Sequence, residues 1–189
     1  MGLFTRSRPP KRTPQQLGYL IAGALHTAFT QESIAVEQRA QADAAQIPLD
    51  VLWCEMLALS GFSAQWEMVT RLRGTALLDQ LMEGFRDRWR EFASQGERKR
   101  GAALAFAQRE KYYADAAIDW EFQTPGIIGN PLSDAFTTAL QQSAGVDPNT
   151  EFARLRQISM LAAMLAPVLF ETGQRATIEV LREAGHFPA

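Results

Sequence analysis

The 189-residue sequence has few of the side chains that catalysis and metal binding usually require. Only one cysteine, Cys54, is present, together with two histidines, His26 and His186. One cysteine excludes an internal disulfide bond and is typical of a reducing compartment, so we expect a cytoplasmic location. Cys54 lies in an apolar run, where burial raises the pKa of a thiol and makes it inert. The chain also lacks the serine-triad, P-loop and dinucleotide-binding motifs, so we expect no cofactor.

The two histidines do not match a metal centre. Glu183 and His186 have the Glu-x-x-His spacing of di-iron bundles, but such centres need two of these pairs and two further glutamates. His26 has Gly23 three residues before it, so the second pair is missing. We therefore predict no metal, and we interpret His26 as a hydrogen-bonded core or boundary histidine.

The chain has no large excess of charge of either sign. It carries 19 basic and 21 acidic residues, a formal net charge of −2, which gives no general attraction to nucleic acid or to an anionic membrane. Acidic residues interleave with the basic run GERKRG at 96–101, so pairing along a helix accounts for it. Residues 1–12 place four cations after Leu3 and Phe4, but one short segment gives marginal membrane affinity. Arginine outnumbers lysine 16 to 3, a usage typical of GC-rich bacterial genomes.

Long hydrophobic runs and strand patterns are also missing. The two most apolar stretches, 17–29 and 158–170, are about 13 residues long, whereas a membrane-spanning helix needs about 20. We interpret both as buried helices, and the second as a central helix that is apolar nearly all round. No alternating run of β-branched residues predicts a strand, and no internal repeat is visible.

The sequence does contain a series of helical signals. They predict an all-α, single-domain bundle of six to seven helices over residues 13–189, preceded by a flexible basic tail at 1–12. Thr13, Pro14 and Gln16 form a capping box at the start of the first helix. The expected helices cover about 14–44, 48–70, 75–94, 98–121, 132–143, 147–170 and 174–183. Breaks are expected near Thr30 in the first of these and at Ser60–Gly61 in the second.

Glu55 is the one charged residue in the apolar run 52–62. At 100° per residue, Val51 and Phe62 fall within about 60° of it on a helix, whereas Glu67 falls on the opposite side. An unpaired carboxylate on an apolar face is costly, so it shifts its pKa or finds a partner. We favour a structural role, in which Glu55 either has an arginine or a hydroxyl partner from another helix or is turned outward by a break at Ser60–Gly61. The alternative is a functional acid.

The apolar loop TPGIIGNP, residues 124–131, is a second unusual feature. Ile127 and Ile128 are adjacent, and a plain turn does not easily bury both. Either the loop folds over the end of the bundle and packs them, or they form part of a partner surface or a pocket lid. Tyr112, Tyr113 and Trp120 lie just upstream, and aromatic residues are enriched in the cores of protein interfaces.

These observations leave two hypotheses of different classes. The favoured one is a non-enzymatic protein that binds another protein or itself, as an adaptor, a regulator or an immunity-type module. Its candidate partner-binding residues are Tyr112, Tyr113, Trp120, Ile127 and Ile128. The alternative is a bundle with an internal pocket that binds a small apolar ligand or uses Glu55 for acid–base chemistry.

Overall fold

A computed structural model describes residues 12–30, 34–122 and 130–186, with the backbone alone at 120–122. Within these ranges the chain forms seven α-helices and no β-strand. The helices are α1 (Pro14–Ala28), α2 (Val36–Ala44), α3 (Leu49–Leu72), α4 (Ala76–Ala93), α5 (Glu97–Phe122), α6 (Pro131–Ser143) and α7 (Phe152–Glu183). The predicted all-α bundle of six to seven helices is confirmed. Of the predicted tail at 1–12, only residue 12 lies within the described part of the chain.

Local capping signals set several of the helix ends. Thr13 Oγ1 accepts a hydrogen bond from the Gln16 amide at 3.2 Å, and Gln16 Oε1 accepts one from the Thr13 amide at 2.9 Å. This is the predicted capping box of α1. Asn130 caps α6 in a similar way, because its side chain accepts from the amides of Leu132 and Ser133. The predicted break near Thr30 is also confirmed, since α1 ends at Ala28.

The break predicted at Ser60–Gly61 is wrong, because α3 runs through it without interruption. A Cβ atom added to Gly61 would lie 2.6 Å from Cζ2 of Trp89. The rings of Trp89 and Phe106 are stacked there with their centroids 4.4 Å apart. Gly61 therefore leaves room for an aromatic pair, and this packing outweighs the cost of about 1 kcal/mol that glycine brings to a helix interior.

One long helix, α7, replaces the two helices predicted over 147–170 and 174–183. The carboxylate of Asp147 accepts hydrogen bonds from the Asn149 amide at 2.9 Å and from Thr150 Oγ1 at 3.0 Å. Asp147 thus stabilises a turn, and the helix that the sequence predicts from residue 147 begins only at Phe152. The helix continues through Pro167, which is exposed, and through Gly173, which is buried.

The prediction that the apolar part of α7 is central and buried nearly all round is wrong on one side. Leu161 and Leu165 are buried as expected, but Met160, Met164 and Val168 are 51%, 45% and 57% exposed. One face of α7 therefore packs on the bundle, and the opposite face presents apolar side chains to solvent.

The central helix of the bundle is α3, which contacts each of the other six helices. Its most extensive packing is against α7 and α5. Ser60 and Glu67, which the helical pattern places away from the apolar face, are buried as well. Glu67 accepts hydrogen bonds from Arg71 and, at 3.3 Å, from Gln174 of α7. At Ser60 and Glu67 the polar side of α3 is therefore an interface with α7 and not a solvated surface.

Three glycines allow neighbouring helices to touch backbone to backbone. A Cβ atom on Gly18 of α1 would lie 1.9 Å from the Leu81 carbonyl oxygen of α4. At the same crossing of α1 and α4, a Cβ atom on Gly84 of α4 would lie 1.8 Å from the Gln15 carbonyl oxygen of α1. Gly173 of α7 makes the same kind of approach to α3, with its Cβ position 2.2 Å from the Ser60 carbonyl oxygen. Real Cβ atoms do not approach other atoms so closely, so only glycine fits at these positions.

Length and composition alone would also let part of this bundle span a membrane. Among the described residues, α7 is long and apolar enough to cross a membrane, and 33% of its most apolar window is buried. Helices α2 and α3 together also reach this length and hydropathy, but the pair is bent by 116°. Core helices of soluble proteins meet the same criterion, so it is weak evidence for a membrane location.

We expect the Gly84→Ala variant to lose about 3 kcal/mol or more of unfolding free energy, because the added methyl group meets backbone that has little room to move. The matched control is Gly23→Ala in α1, where the nearest atom to the new methyl group is Arg88 Nε at 3.7 Å. That variant should gain up to about 1 kcal/mol from the helix propensity of alanine. Urea denaturation of both variants measures the difference. Equal stability of the two would contradict the close crossing of α1 and α4.

Candidate functional site

The side chain of Glu55 lies at the junction of α3, α5 and α6. The residue is only 1% exposed. Its Oε1 accepts a hydrogen bond from Ser143 Oγ of α6 at 2.6 Å and one from Arg109 Nη2 of α5 at 3.5 Å. Its Oε2 accepts one from the hydroxyl of Tyr113, also on α5, at 3.4 Å. The prediction of an arginine or hydroxyl partner from another helix is therefore confirmed, and both partners are present.

Arg109 connects this carboxylate to the C-terminal end of α6. Its guanidinium donates to Gln142 Oε1 at 2.6 Å, to Ser143 Oγ at 3.2 Å and to the Ala139 carbonyl at 3.4 Å. The last carbonyl groups of a helix carry partial negative charge, which favours a cation at this position. The positive charge of Arg109 thus lies close to two negative groups, the carboxylate of Glu55 and the carbonyl groups at the end of α6.

Tyr113 is fully buried and donates to Glu55. Burial raises the pKa of Tyr113 well above its usual value of 10.0, and the nearby charge of Glu55 raises it further. The phenol therefore stays protonated and remains a donor. This position corrects the sequence prediction for Tyr113, because a side chain without exposed surface belongs to the core network and not to a partner surface.

A cleft of about 580 Å³ opens beside the network, between α3 and α5. Glu55 and Ser143 contribute to its lining, together with Cys54. Its volume falls in the range of small-ligand sites. Its rim is charged, however, since Arg98 Nε lies 3.0 Å from Asp50 Oδ1 across it. The cleft is therefore less apolar than the pocket that the sequence suggested.

Cys54 offers no nucleophile to this cleft. Burial, together with the charge of Glu55, raises the pKa of its thiol to about 11. The thiol is therefore protonated at neutral pH, and its Sγ lies 3.8 Å from the Arg98 carbonyl oxygen. Because donors also occupy both oxygens of Glu55, the geometry of this cluster is that of a structural bridge between three helices.

A second candidate site lies on the outer side of α7. We call it the α7 face, and its members are the exposed residues Met160, Ala163, Met164, Pro167 and Val168. Residues 157–170 contain no charged side chain. Gln41 of α2 borders this face, with its Nε2 3.6 Å from Met164 Sδ. Sequence reasoning missed this surface because it assigned the same uncharged segment to the interior of the bundle.

Of the sequence-predicted partner residues, Tyr112 and Tyr113 are the two whose side chains the structure describes. Tyr112 is 40% exposed and lies at a groove between α5 and α6. Trp120 lies on α5, but its side chain is outside the described part of the structure, and so are Ile127 and Ile128. Of the five candidates, Tyr112 is therefore the one whose surface position the structure supports.

His26 is buried among aromatic rings instead of being hydrogen-bonded as predicted. Its ring stacks on Phe92 with centroids 3.8 Å apart and meets Trp89 edge-on at 4.7 Å. Neither ring nitrogen has a hydrogen-bond partner among the described residues. Burial, with smaller contributions from Arg88 and Lys99, lowers the pKa of His26 to about 3. The imidazole is therefore neutral at physiological pH and acts as an apolar ring.

Comparison with known proteins gives no relative for this chain. No protein-family model matches it, and neither the curated proteins nor the solved structures contain a significant match.

We expect Glu55→Ala to lower the unfolding free energy by about 3 kcal/mol, because it leaves the partly buried Arg109 without its charge partner. Urea denaturation measures this loss. Glu83→Ala on exposed α4 surface is the control and should change stability by less than about 0.5 kcal/mol. A Glu55 variant as stable as this control would show that the carboxylate does not bridge the helices.

His26 predicts a specific loss of stability in mild acid. The unfolded chain protonates this histidine near pH 6.5, whereas the folded chain does so only near pH 3. The unfolded state therefore binds more protons between these values, and stability falls as the pH falls. From pH 7 to 5 we expect a contribution of about 2 kcal/mol to this loss.

Chemical denaturation of His26→Gln at pH 7 and pH 5 tests this prediction. The variant should lose less stability than the wild type over that interval, although Glu91 and other acidic groups still contribute. His186→Gln at an exposed position is the control and should keep the wild-type pH dependence. Identical pH profiles for all three proteins would contradict a neutral, buried His26.

Proposed function

We propose that this chain is a non-enzymatic protein-interaction module that docks on a protein partner through the α7 face. An adaptor, a regulator or an immunity-type protein would fit this description. The observation that carries the proposal is the exposure of Met160, Met164 and Val168 on a segment without charge.

The chemistry of the α7 face favours docking over a purely structural role. Contiguous exposed apolar surface on a soluble protein commonly marks an interaction site. Charged residues are depleted in the cores of protein interfaces, and methionine is enriched there. Methionine side chains are also flexible, so they adapt to the shape of a partner. The face combines these three properties on one helix.

The Glu55 cluster supports the non-enzymatic part of the proposal. Ser143, Arg109 and Tyr113 occupy the carboxylate oxygens, and the Cys54 thiol is held in its protonated form. A small-ligand role for the cleft beside Glu55 is the second candidate. It is favoured by a volume of about 580 Å³ and by two polar side chains, Glu55 and Ser143, in its wall.

A photocrosslinking amino acid at position 164 tests the docking surface in the cells from which the protein comes. We expect adducts with protein at position 164 and their loss when Met160 is replaced by aspartate. The matched control is position 104, because Leu104 is similarly exposed on α5. Native mass spectra of the captured protein also report any bound small molecule.

The same experiment distinguishes the alternatives. The crosslinking amino acid is also placed at position 112. Protein adducts from position 112 but not from position 164 would assign the interface to α5 and contradict the α7 face. A retained small molecule, lost on Glu55→Gln, would favour the cleft. If position 164 gave no protein adduct, the proposed docking function would be wrong.

A further inference from the structure

The two ends of the α7 face carry opposite charges. Arg156 is exposed one turn before Met160, and Glu171 is exposed one turn after Pro167. No charge lies between them on the helix. At 100° and 1.5 Å per residue, the two side chains lie roughly 60° apart around the helix and roughly 22 Å apart along it.

This pattern is complementary to a reversed copy of itself. When two α7 helices run antiparallel about a two-fold axis between Ala163 and Met164, Arg156 of one copy is level with the partner's Glu171. By the same symmetry, Met160 is level with the partner's Pro167. A parallel arrangement in register would place like charges opposite each other at both ends. The charges therefore favour the antiparallel orientation.

The centre of the face has the small side chain that a close helix crossing needs. Ala163 lies beside the axis, and its methyl group permits the interaxial distance of about 8–10 Å that is usual for packed helices. The apolar stripe runs nearly along the helix, which suits a crossing angle near 20°. A two-fold contact of this kind is isologous, which means that the same surface contributes from both copies. One dimer therefore contains two charge pairs, each between Arg156 of one copy and Glu171 of the other.

We propose that the occupant of the α7 face is a second copy of this chain, paired antiparallel about a two-fold axis between Ala163 and Met164. The inference rests on the proposed docking function and names its partner. Arg156 and Glu171 set the orientation of the pair, and the uncharged residues between them form its apolar centre.

The existing partner of Glu171 does not compete strongly with this pairing. Arg175 lies one turn further from the two-fold axis and donates to Glu171 Oε1 at 2.8 Å. Both side chains are more than half exposed, and surface pairs of this kind contribute little. Glu171 has no further partner among the described residues, so its exposed carboxylate remains accessible to Arg156 of the second copy.

Sedimentation velocity on charge-reversal variants tests the orientation. The wild type should form dimers at micromolar concentration. Arg156→Glu and Glu171→Arg should each weaken dimerisation by about tenfold, because each creates two like-charge contacts. The variant with both changes should regain most of the wild-type affinity. Arg86→Glu and Glu83→Arg, at exposed positions on α4, are the matched controls and should dimerise as the wild type does.

A cysteine at the axis gives an independent measurement. In a Cys54→Ser background, Ala163→Cys should form a disulfide-linked dimer on mild oxidation, because the two copies of residue 163 face each other. Leu104→Cys is the control and should form no disulfide-linked dimer under the same conditions, because the two copies of residue 104 on α5 lie outside the α7 face. Circular dichroism of each variant confirms that the helices are retained.

The outcomes separate this inference from the proposed function. Rescue by the double reversal, together with cross-linking at position 163, would support the antiparallel pair. Dimers that are insensitive to both single reversals would overturn it. A chain that stays monomeric at about 200 µM, but gives adducts with a different protein at position 164, would overturn self-pairing and leave the docking function standing. Failure of both experiments would reject both.

Discussion

The bundle depends on the close contact between α3 and α7 at Gly173. Because this residue has no side chain, the two backbones approach until the Cβ position of Gly173 is 2.2 Å from the Ser60 carbonyl oxygen. Hydroxyl groups then bind carbonyl groups across the contact: Ser60 Oγ donates to Leu169 at 3.2 Å, and Thr177 Oγ1 donates to Ala64 at 3.2 Å. A larger residue at 173 would separate the helices and break these bonds together. The buried polar atoms of this interface therefore depend on one small residue.

This contact also determines which surfaces remain for function. With α7 packed on one side of α3, the other side meets α5 and α6, and Glu55 is buried at that junction. Ser143 and Arg109 supply hydrogen bonds to its carboxylate, as the desolvation of a charge requires. The same packing uses one face of α7 and leaves Met160 and Met164 exposed on the other. The structural bridge and the candidate docking face are thus two consequences of one helix arrangement.

Local signals made part of this structure predictable. The capping box at Thr13 and the cap at Asn130 involve residues within three positions of each other, so the sequence displays both partners directly. The burial of Glu55 followed from its place on an apolar helical face, and so did the kind of partner it has. The identity of that partner did not follow, because Arg109 and Ser143 are 54 and 88 residues away. Gly61 was misinterpreted for the same reason, since the rings that require it come from α4 and α5.

By itself, the sequence determined that the chain is all-helical, where most helices begin, and which face of α3 is apolar. These properties arise from a repeat of about 3.6 residues and from capping contacts within one turn. Only the tertiary structure decided that α3 and not α7 is the central helix. The distinction depends on how closely two backbones approach, and therefore on small residues such as Gly173 meeting Ser60 across more than a hundred positions of chain. Hydrophobic periodicity records which side of a helix is apolar, but not whether another helix covers it.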